Sequence, residues 1–444
     1  MDLILAFVLF MAAMVVSLVS GITMILPLVV GVSAFTVLAL RRGFPFRRVL
    51  AMIGKGAWES KVVVIVMVLI GCLTSLWRQS GTIAYFTCYG IRLIPAEVFI
   101  FAAFLLSALM SYALGTSFGV AGTIGVILMT IARASGVSTV ITGGAILSGI
   151  YFGDRGSPAA SSASLVANET GTDVTKNFRL MFKSSLLPLG ICAALYLALS
   201  ILNQPGSVDT SLLASFENEF HLSLWCLTPT ALLLVLAFAG MQIKYVMLIN
   251  IAFSAVLTLI LQEITPVELL RMTIAGYVPR DASLAAILSG GGVLSMVEVV
   301  ILLLLSSGIA GIFEGTGMLS SLEGALGRMA KRFGRFPAMV ATSIGVCCVF
   351  CNQTIGIIMC RQCMSKNYGT SPEERISMML DIENSVVTIA GIVPWCIASS
   401  VPLRMLGCDM RSLPFAAFLY LIPICWHFTL RHRERMRRRA QKNA

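Results

Sequence analysis

The chain has 444 residues, 57% of them hydrophobic and 12% charged, with a mean hydropathy of +0.91. Soluble domains carry about a quarter of their residues as Asp, Glu, Lys and Arg, so the composition excludes a water-solvated globular surface and makes the lipid bilayer the main solvent. The formal net charge of +11 is no nucleic-acid footprint, because the basic residues fall between apolar runs, and no nucleic-acid partner is expected.

Residues 1–59 read as two apolar spans, near 3–20 and 22–40, and a basic loop holding Arg41, Arg42, Arg47 and Arg48. The run from Leu3 lacks a basic n-region and continues into a second apolar segment, so it reads as a mature span and not a signal peptide. A first unit, 60–201, has apolar runs near 60–77, 96–133 and 184–201 and a segment, 137–170, rich in Gly, Pro and Ser. The linker 202–290 opens with 203–221, which carries Asp209, Glu217 and Glu219 but no Lys or Arg, and adds spans near 223–241 and 245–262. A second unit, 291–411, has runs near 292–313 and 337–364 and another Gly/Pro/Ser-rich segment, 381–406. The last part, 412–444, supplies a span near 412–429 and a tail with basic residues from Arg431 to Lys442.

These runs are long enough to cross about 30 Å of hydrocarbon. Ten crossings put both termini on one side, and the arginine-rich loop and tail assign that side to the cytoplasm of a bacterial inner membrane. The segments 137–170 and 381–406 then begin and end on the same side and read as re-entrant hairpins. Backbone of that kind is tolerated at membrane depth only where protein or a wet cavity surrounds it, so the hairpins point to a site.

An internal repeat organises the chain. Leu76-Trp77-Arg78-Gln79-Ser80-Gly81-Thr82 aligns with Ile312-Phe313-Glu314-Gly315-Thr316-Gly317-Met318, an offset of 236 residues. The same offset relates Gly115-Thr116-Ser117 to Cys351-Asn352-Gln353 and Ser157-Pro158 to Val393-Pro394. The loop after the first unit's motif has a lone Arg92, whereas its counterpart has Arg328, Lys331, Arg332 and Arg335. Equivalent loops therefore lie on opposite sides, and the repeats are inverted, as in many secondary transporters.

Polar residues concentrate where the apolar pattern is interrupted. In SALMSYALGTSFGVAGTIG, from Ser107 to Gly125, glycines and hydroxyls replace the branched residues of a lipid-facing helix. Unwinding there would aim half-helix ends at an ion, with Thr116 and Ser117 as oxygen ligands; the glycines also suit close helix packing. The repeat counterpart places Asn352, Gln353 and Thr354 in an apolar span. The stretch 149–164 of the first hairpin holds Asp154, Arg155, Ser157 and Ser161, with Asp154 as its carboxylate, an ion ligand or proton carrier by default or else an ion pair with Arg155. The second holds Glu383, Asn384 and Ser385, while Asp381 is expected at the interface beside Glu374 and Arg375. Arg78 and Glu314, related by the repeat, form a candidate buried structural or coupling pair.

Enzymatic chemistry has no foothold, since the chain lacks G-x-S-x-G and phosphate-loop motifs, and His221, His427 and His432 lie away from the serine-rich hairpins. The C-x-x-C spacings Cys348/Cys351 and Cys360/Cys363 have no second pair at zinc-finger distance, so no metal site beyond a transported Na+ and no cofactor are expected.

Six segments, LIGCLTSLWRQSGTIAYFTCYGIRLI, GTSFGVAGTIGV, SGIYFGDRGSP with GTD at 171–173, GIFEGTGML, CNQT and IVPW, resemble NhaC-type sodium/proton antiporters, of which this chain looks like a divergent member. The resemblance covers about 60–173 and 291–400. It implies an all-α polytopic fold of two inverted repeats with broken helices, and coupling to Na+ or H+. Where that family usually has a second Asp and an Asn in the first hairpin, Ser161 and Ser164 stand here. Its Glu-Asp-Ser triplet is Glu383-Asn384-Ser385, and its Ser-Pro-Leu stretch is Ala390-Gly391-Ile392. These changes thin the acids of a cation site, which leaves two expectations open: sodium/proton antiport, or coupled transport of an amino acid or small organic acid. The expected partners are the bilayer, a small ion or molecule and a second copy of the chain in a homodimer.

Overall fold

The computed structural model describes residues 2–203, 210–318 and 320–443, so Asp209 of the acidic linker lies outside the described residues. Apart from one isolated bridge between Tyr277 and Gly290, the described elements are helices and turns. The first half contains α1 (Asp2–Ser20), α2 (Ile25–Arg41), α3 (Phe46–Glu59), α4 (Lys61–Gln79), α5 (Thr82–Leu93), α6 (Phe99–Leu114), α7 (Ser117–Ala134), α8 (Thr139–Gly156), α9 (Ser161–Thr170) and α10 (Val174–Leu202). Two apolar linker helices follow, α11 (Thr228–Phe238) and α12 (Ile243–Leu261). The second half contains α13 (Val297–Thr316), α14 (Ser320–Phe333), α15 (Arg335–Phe350), α16 (Gln353–Met364), α17 (Pro372–Glu383), α18 (Val386–Ile389), α19 (Ile397–Leu406) and α20 (Ala417–Asn443).

Among the described residues, seven helices are long and apolar enough to cross a bilayer, and shorter apolar helices of 10–17 residues accompany them. The chain is a many-span, all-α membrane protein. Two hydropathy runs divide where one crossing was expected. The run 96–133 breaks between α6 and α7, and 337–364 breaks between α15 and α16, because the residues at each junction leave helical geometry. The basic loop expected before residue 60 also holds a helix, α3, whose Val49, Met52 and Gly56 are buried.

The element boundaries recur along the chain. The bounds of α6 and α15 differ by 236 residues at both ends, and so do those of α9 and α19. Both members of the second pair end on a left-handed glycine, Gly171 and Gly407, each at φ +63°.

Close backbone packing sets the position of α8. A Cβ on Gly153 would lie 2.0 Å from the Ser111 carbonyl carbon, and one on Gly149 2.6 Å from Phe104 O, so only glycine lets α8 reach α6. The Ser111 hydroxyl donates to Ile150 O across the same contact. A Cβ on Gly56 would likewise lie 2.2 Å from Ser307 O, which seats α3 on α13. The linker spans are tied to the first half by a polar staple: Trp77 Nε1 donates to Asn250 Oδ1 at 2.9 Å, and Asn250 Nδ2 donates to Pro229 O at 2.6 Å. The GTD segment is a helix start, in which Asp173 caps α10 by accepting from Thr175 N at 2.8 Å.

Candidate functional site

Two interruptions with the same three-residue form bring the polar residues together. After α6, Gly115 is left-handed (φ +64°, ψ 29°) and Thr116 extended (φ −150°, ψ 127°), and α7 starts at Ser117. After α15, Cys351 is left-handed (φ +52°, ψ 19°) and Asn352 extended (φ −142°, ψ 126°), and α16 starts at Gln353. In each case the extended residue caps the next helix: the Thr116 hydroxyl accepts from Gly119 N at 3.3 Å, and Asn352 Oδ1 accepts from Thr354 N at 2.9 Å. Such a junction leaves last-turn carbonyls of one helix and first-turn N–H groups of the next without intrahelical partners, and these are the backbone groups that hold ions. The turn Ala121–Gly125 of α7 is also wound as a π-helix, a form that often marks functional positions.

Asp154 lies near the C-terminal end of α8 and is 4% exposed. Its Oδ2 accepts from Gln353 Nε2 at 3.0 Å, and the same Gln353 amide donates to Val387 O at 3.2 Å. Ser117, through its N–H and its hydroxyl, lies close to this carboxylate, and the Ser162 hydroxyl donates to the Asp154 main-chain carbonyl. Asp154 is therefore bonded to the second junction and lies close to the first. Arg155 turns away from it and donates to Met181 O at 3.2 Å and to the hydroxyls of Ser184 and Ser185. No Asp154–Arg155 ion pair forms.

Glu383, the last residue of α17, is fully buried, and neither of its carboxylate oxygens has a hydrogen-bond partner among the described residues. The charged groups acting on it are Arg155 and Asp154. An ionised carboxylate in such surroundings requires a counter-charge. Beside it, Asn384 donates to Leu380 O at 2.7 Å and leaves its own Oδ1 without a partner. Ser385 stands in the link between α17 and α18 (φ −128°, ψ −86°), and its hydroxyl donates to Asp381 O at 2.6 Å.

Several expected site residues are committed elsewhere. The Ser157 hydroxyl donates to Tyr112 O at 2.7 Å and accepts from Ala159 N, so it shapes the turn after α8. Ser161 is exposed, and its neighbour Ser162 turns to Asp154 instead; which of two adjacent serines faces inward depends on the turn at 157–160. Thr354 is exposed and faces a separate cavity together with Asn352. Arg78 and Glu314 are not paired. Arg78 is 5% exposed and donates to Thr74 O at 2.9 Å, whereas Glu314 takes Lys55 at 3.2 Å, a partner supplied by the unexpected helix α3. Asp381 is 2% exposed, accepting from Tyr368 Oη and Trp426 Nε1, each at 2.7 Å. Among the described residues no three His, Cys, Asp or Glu side chains are grouped to hold a metal.

Comparison with known proteins gives the same assignment as the motifs. A model described as the Na+/H+ antiporter family matches residues 149–428. The chain is 26% identical over 408 residues to the Na(+)/H(+) antiporter NhaC of Bacillus subtilis (strain 168), covering 90% of each protein. It is 25% identical to the Malate-2H(+)/Na(+)-lactate antiporter of the same organism, covering 85% of this chain and 82% of that one. It is 24% identical to the Arginine/ornithine antiporter ArcD of Halobacterium salinarum, covering 81% and 76% respectively. With the family model spanning more than half of the sequence, the chain belongs to the Na+/H+ antiporter family, as a divergent NhaC-type member.

Proposed function

We propose that the protein is a secondary antiporter that exchanges Na+ for H+ at Asp154 and Glu383. The observation that carries this reading is the pair of buried acids acting on each other, with Asp154 held by Gln353 at 3.0 Å and Glu383 without a hydrogen-bond partner among the described residues. Sodium is bound by oxygen, and two carboxylates that act on each other share protons in steps, so a cation and protons compete for the same charge. Ser117, Asn384 Oδ1 and the free carbonyls of the two breaks supply neutral oxygens, and Arg155 sets the net charge that the pair must balance.

In this reading the units 60–201 and 291–411 are inverted repeats whose broken helices meet at 115–117 and 351–353. The segments 137–170 and 381–406 are re-entrant hairpins that rock or slide against the rest to alternate access. The recurrence of helix bounds and left-handed junctions at 236 residues supports it. In the same reading both termini lie in the cytoplasm of a bacterial inner membrane, which the arginine distribution supports.

The test is ion exchange in proteoliposomes. Addition of Na+ or Li+ should dissipate an imposed pH gradient; an intact, correctly inserted protein that leaves the gradient standing overturns the antiport.

A second reading, coupled transport of a small carboxylate or amino acid, is favoured by one observation. Arg78 is a buried guanidinium with no carboxylate partner among the described residues and with its Nε unbonded. A substrate carboxylate suits such a group, and relatives named for malate, lactate, arginine and ornithine make that cargo class relevant. Sodium-dependent thermal stabilisation by one such compound, lost in Arg78→Gln and in Asn352→Ala, would establish it in place of antiport.

A further inference from the structure

A cavity of about 320 Å³ opens between α3, α13 and α16, lined by Glu59, Ser60, Ser307, Glu314, Asn352 and Thr354 among others. The second helix break contributes Asn352 and Thr354 to this lining. Asn352 is 7% exposed; its Oδ1 caps Thr354 N at 2.9 Å, and its amide nitrogen has no partner among the described residues. The next residue, Gln353, reaches the other way to Asp154. The cavity and the buried acid are thus served by consecutive residues of one junction.

The rim is built from charges. Lys55 Nζ lies 3.2 Å from Glu314 Oε1 and 3.7 Å from Glu59 Oε1, and all three side chains are about half exposed or more. Two carboxylates share one ammonium, so the mouth carries a net negative charge in a chain whose formal charge is +11. Below it the Ser60 and Ser307 hydroxyls meet at 2.5 Å, and the Gly56–Gly311 backbone contact fixes the separation of the walls. Like charge lining a cleft with low-dielectric walls concentrates counter-ions, and acidic rings serve this purpose in cation pathways.

We propose that this cavity is the entrance for the transported monovalent cation, and that Lys55 is a tethered counter-cation which the ion displaces from Glu59 and Glu314 before it moves to Asn352 and Thr354. The proposal rests on the cation-exchange reading above. It identifies the path to that site, and it disfavours an anionic cargo by this route because the rim would repel it.

The test labels the cavity in the full-length protein in liposomes. Thr354→Cys is treated with membrane-impermeant thiol reagents, one cationic and one anionic, with the unsubstituted protein as background for its native cysteines. The cationic reagent should react about tenfold faster than the anionic one. Saturating Na+ should slow it, and Glu59→Gln combined with Glu314→Gln should erase the preference. Lys55→Gln should raise the apparent affinity for Na+ about threefold, within the range of a lost surface competitor. Ile358→Cys, on the same lining, serves if Thr354→Cys does not fold. Labelling no faster than background, or equal rates for both reagents that charge neutralisation leaves unchanged, overturns the proposal. Labelling involves no transport step, so cation-selective reaction in a protein without Na+/H+ exchange counts for the entrance and against the exchange.

Discussion

Gln353 Nε2 donates to Asp154 Oδ2 at 3.0 Å across 199 residues of sequence. The bond ties the second helix break to the end of α8 and makes one site of two distant segments. Removing it should weaken cation binding without abolishing the fold. A hydrogen bond to a charged group contributes about 1.5–3 kcal/mol, so Gln353→Ala should raise the apparent KM for Na+ about tenfold or more. Initial rates of pH-gradient dissipation against Na+ concentration check this, and an unchanged KM would detach Gln353 from the site.

The two left-handed junction residues should respond oppositely to substitution. Cys351 adopts φ +52° with a side chain, a conformation that costs about 1–2 kcal/mol outside glycine, so Cys351→Gly should leave transport intact and raise the melting temperature in detergent. Gly115→Ala adds a Cβ at φ +64° that would lie 2.4 Å from Ala159 C, and it should lower both stability and activity. Thermal unfolding of the two variants beside the parent protein checks the pair.

Much of this arrangement was legible in the sequence because polar and glycine residues are expensive in lipid and stand out against apolar runs. The motif around Gly115 and its counterpart at Cys351 marked both junctions, and Asp154, Gln353 and Glu383 were picked out as residues that hydrocarbon does not tolerate without cause. Helix α3 was not legible, because its Arg47, Arg48 and Lys55 make it look like a loop, while its packing depends on Gly56 meeting Gly311 far along the chain. For the same reason Glu314 was paired with Arg78 by repeat position, when its partner is Lys55. Ser162 in place of Ser161 is not legible because one residue of register in a turn decides which of the two faces Asp154, and the bonded, buried state of Asp381 is hidden by its charged neighbours Glu374 and Arg375.

Asp381 acts as a structural acid. Both its oxygens are bonded, to Tyr368 and Trp426, and Asp381→Ala would leave two buried donors unsatisfied at about 1–3 kcal/mol each. The variant should unfold at lower temperature while the folded fraction keeps its apparent KM for Na+. A changed KM at unchanged stability would place Asp381 in transport instead.

Gly153 determines how near α8 comes to α6. Gly153→Ala puts a Cβ 2.0 Å from backbone at Ser111, and the helices must separate at a cost of about 1–3 kcal/mol. Because Asp154 is the next residue, the displacement should also reduce transport more than the matched change Gly156→Ala, whose Cβ would meet nothing within 4 Å. Parallel measurement of melting temperature and exchange rate for the two variants checks it.

The central claim is that a cation and protons compete for Asp154 and Glu383, and proton release tests it most directly. Purified protein in weakly buffered detergent should release protons when Na+ is added and take them up when Na+ is removed. Release should be reduced in Asp154→Asn, reduced in Glu383→Gln, and lost when both are changed. Sodium binding without proton release, or release that persists unchanged in the double variant, would contradict the account.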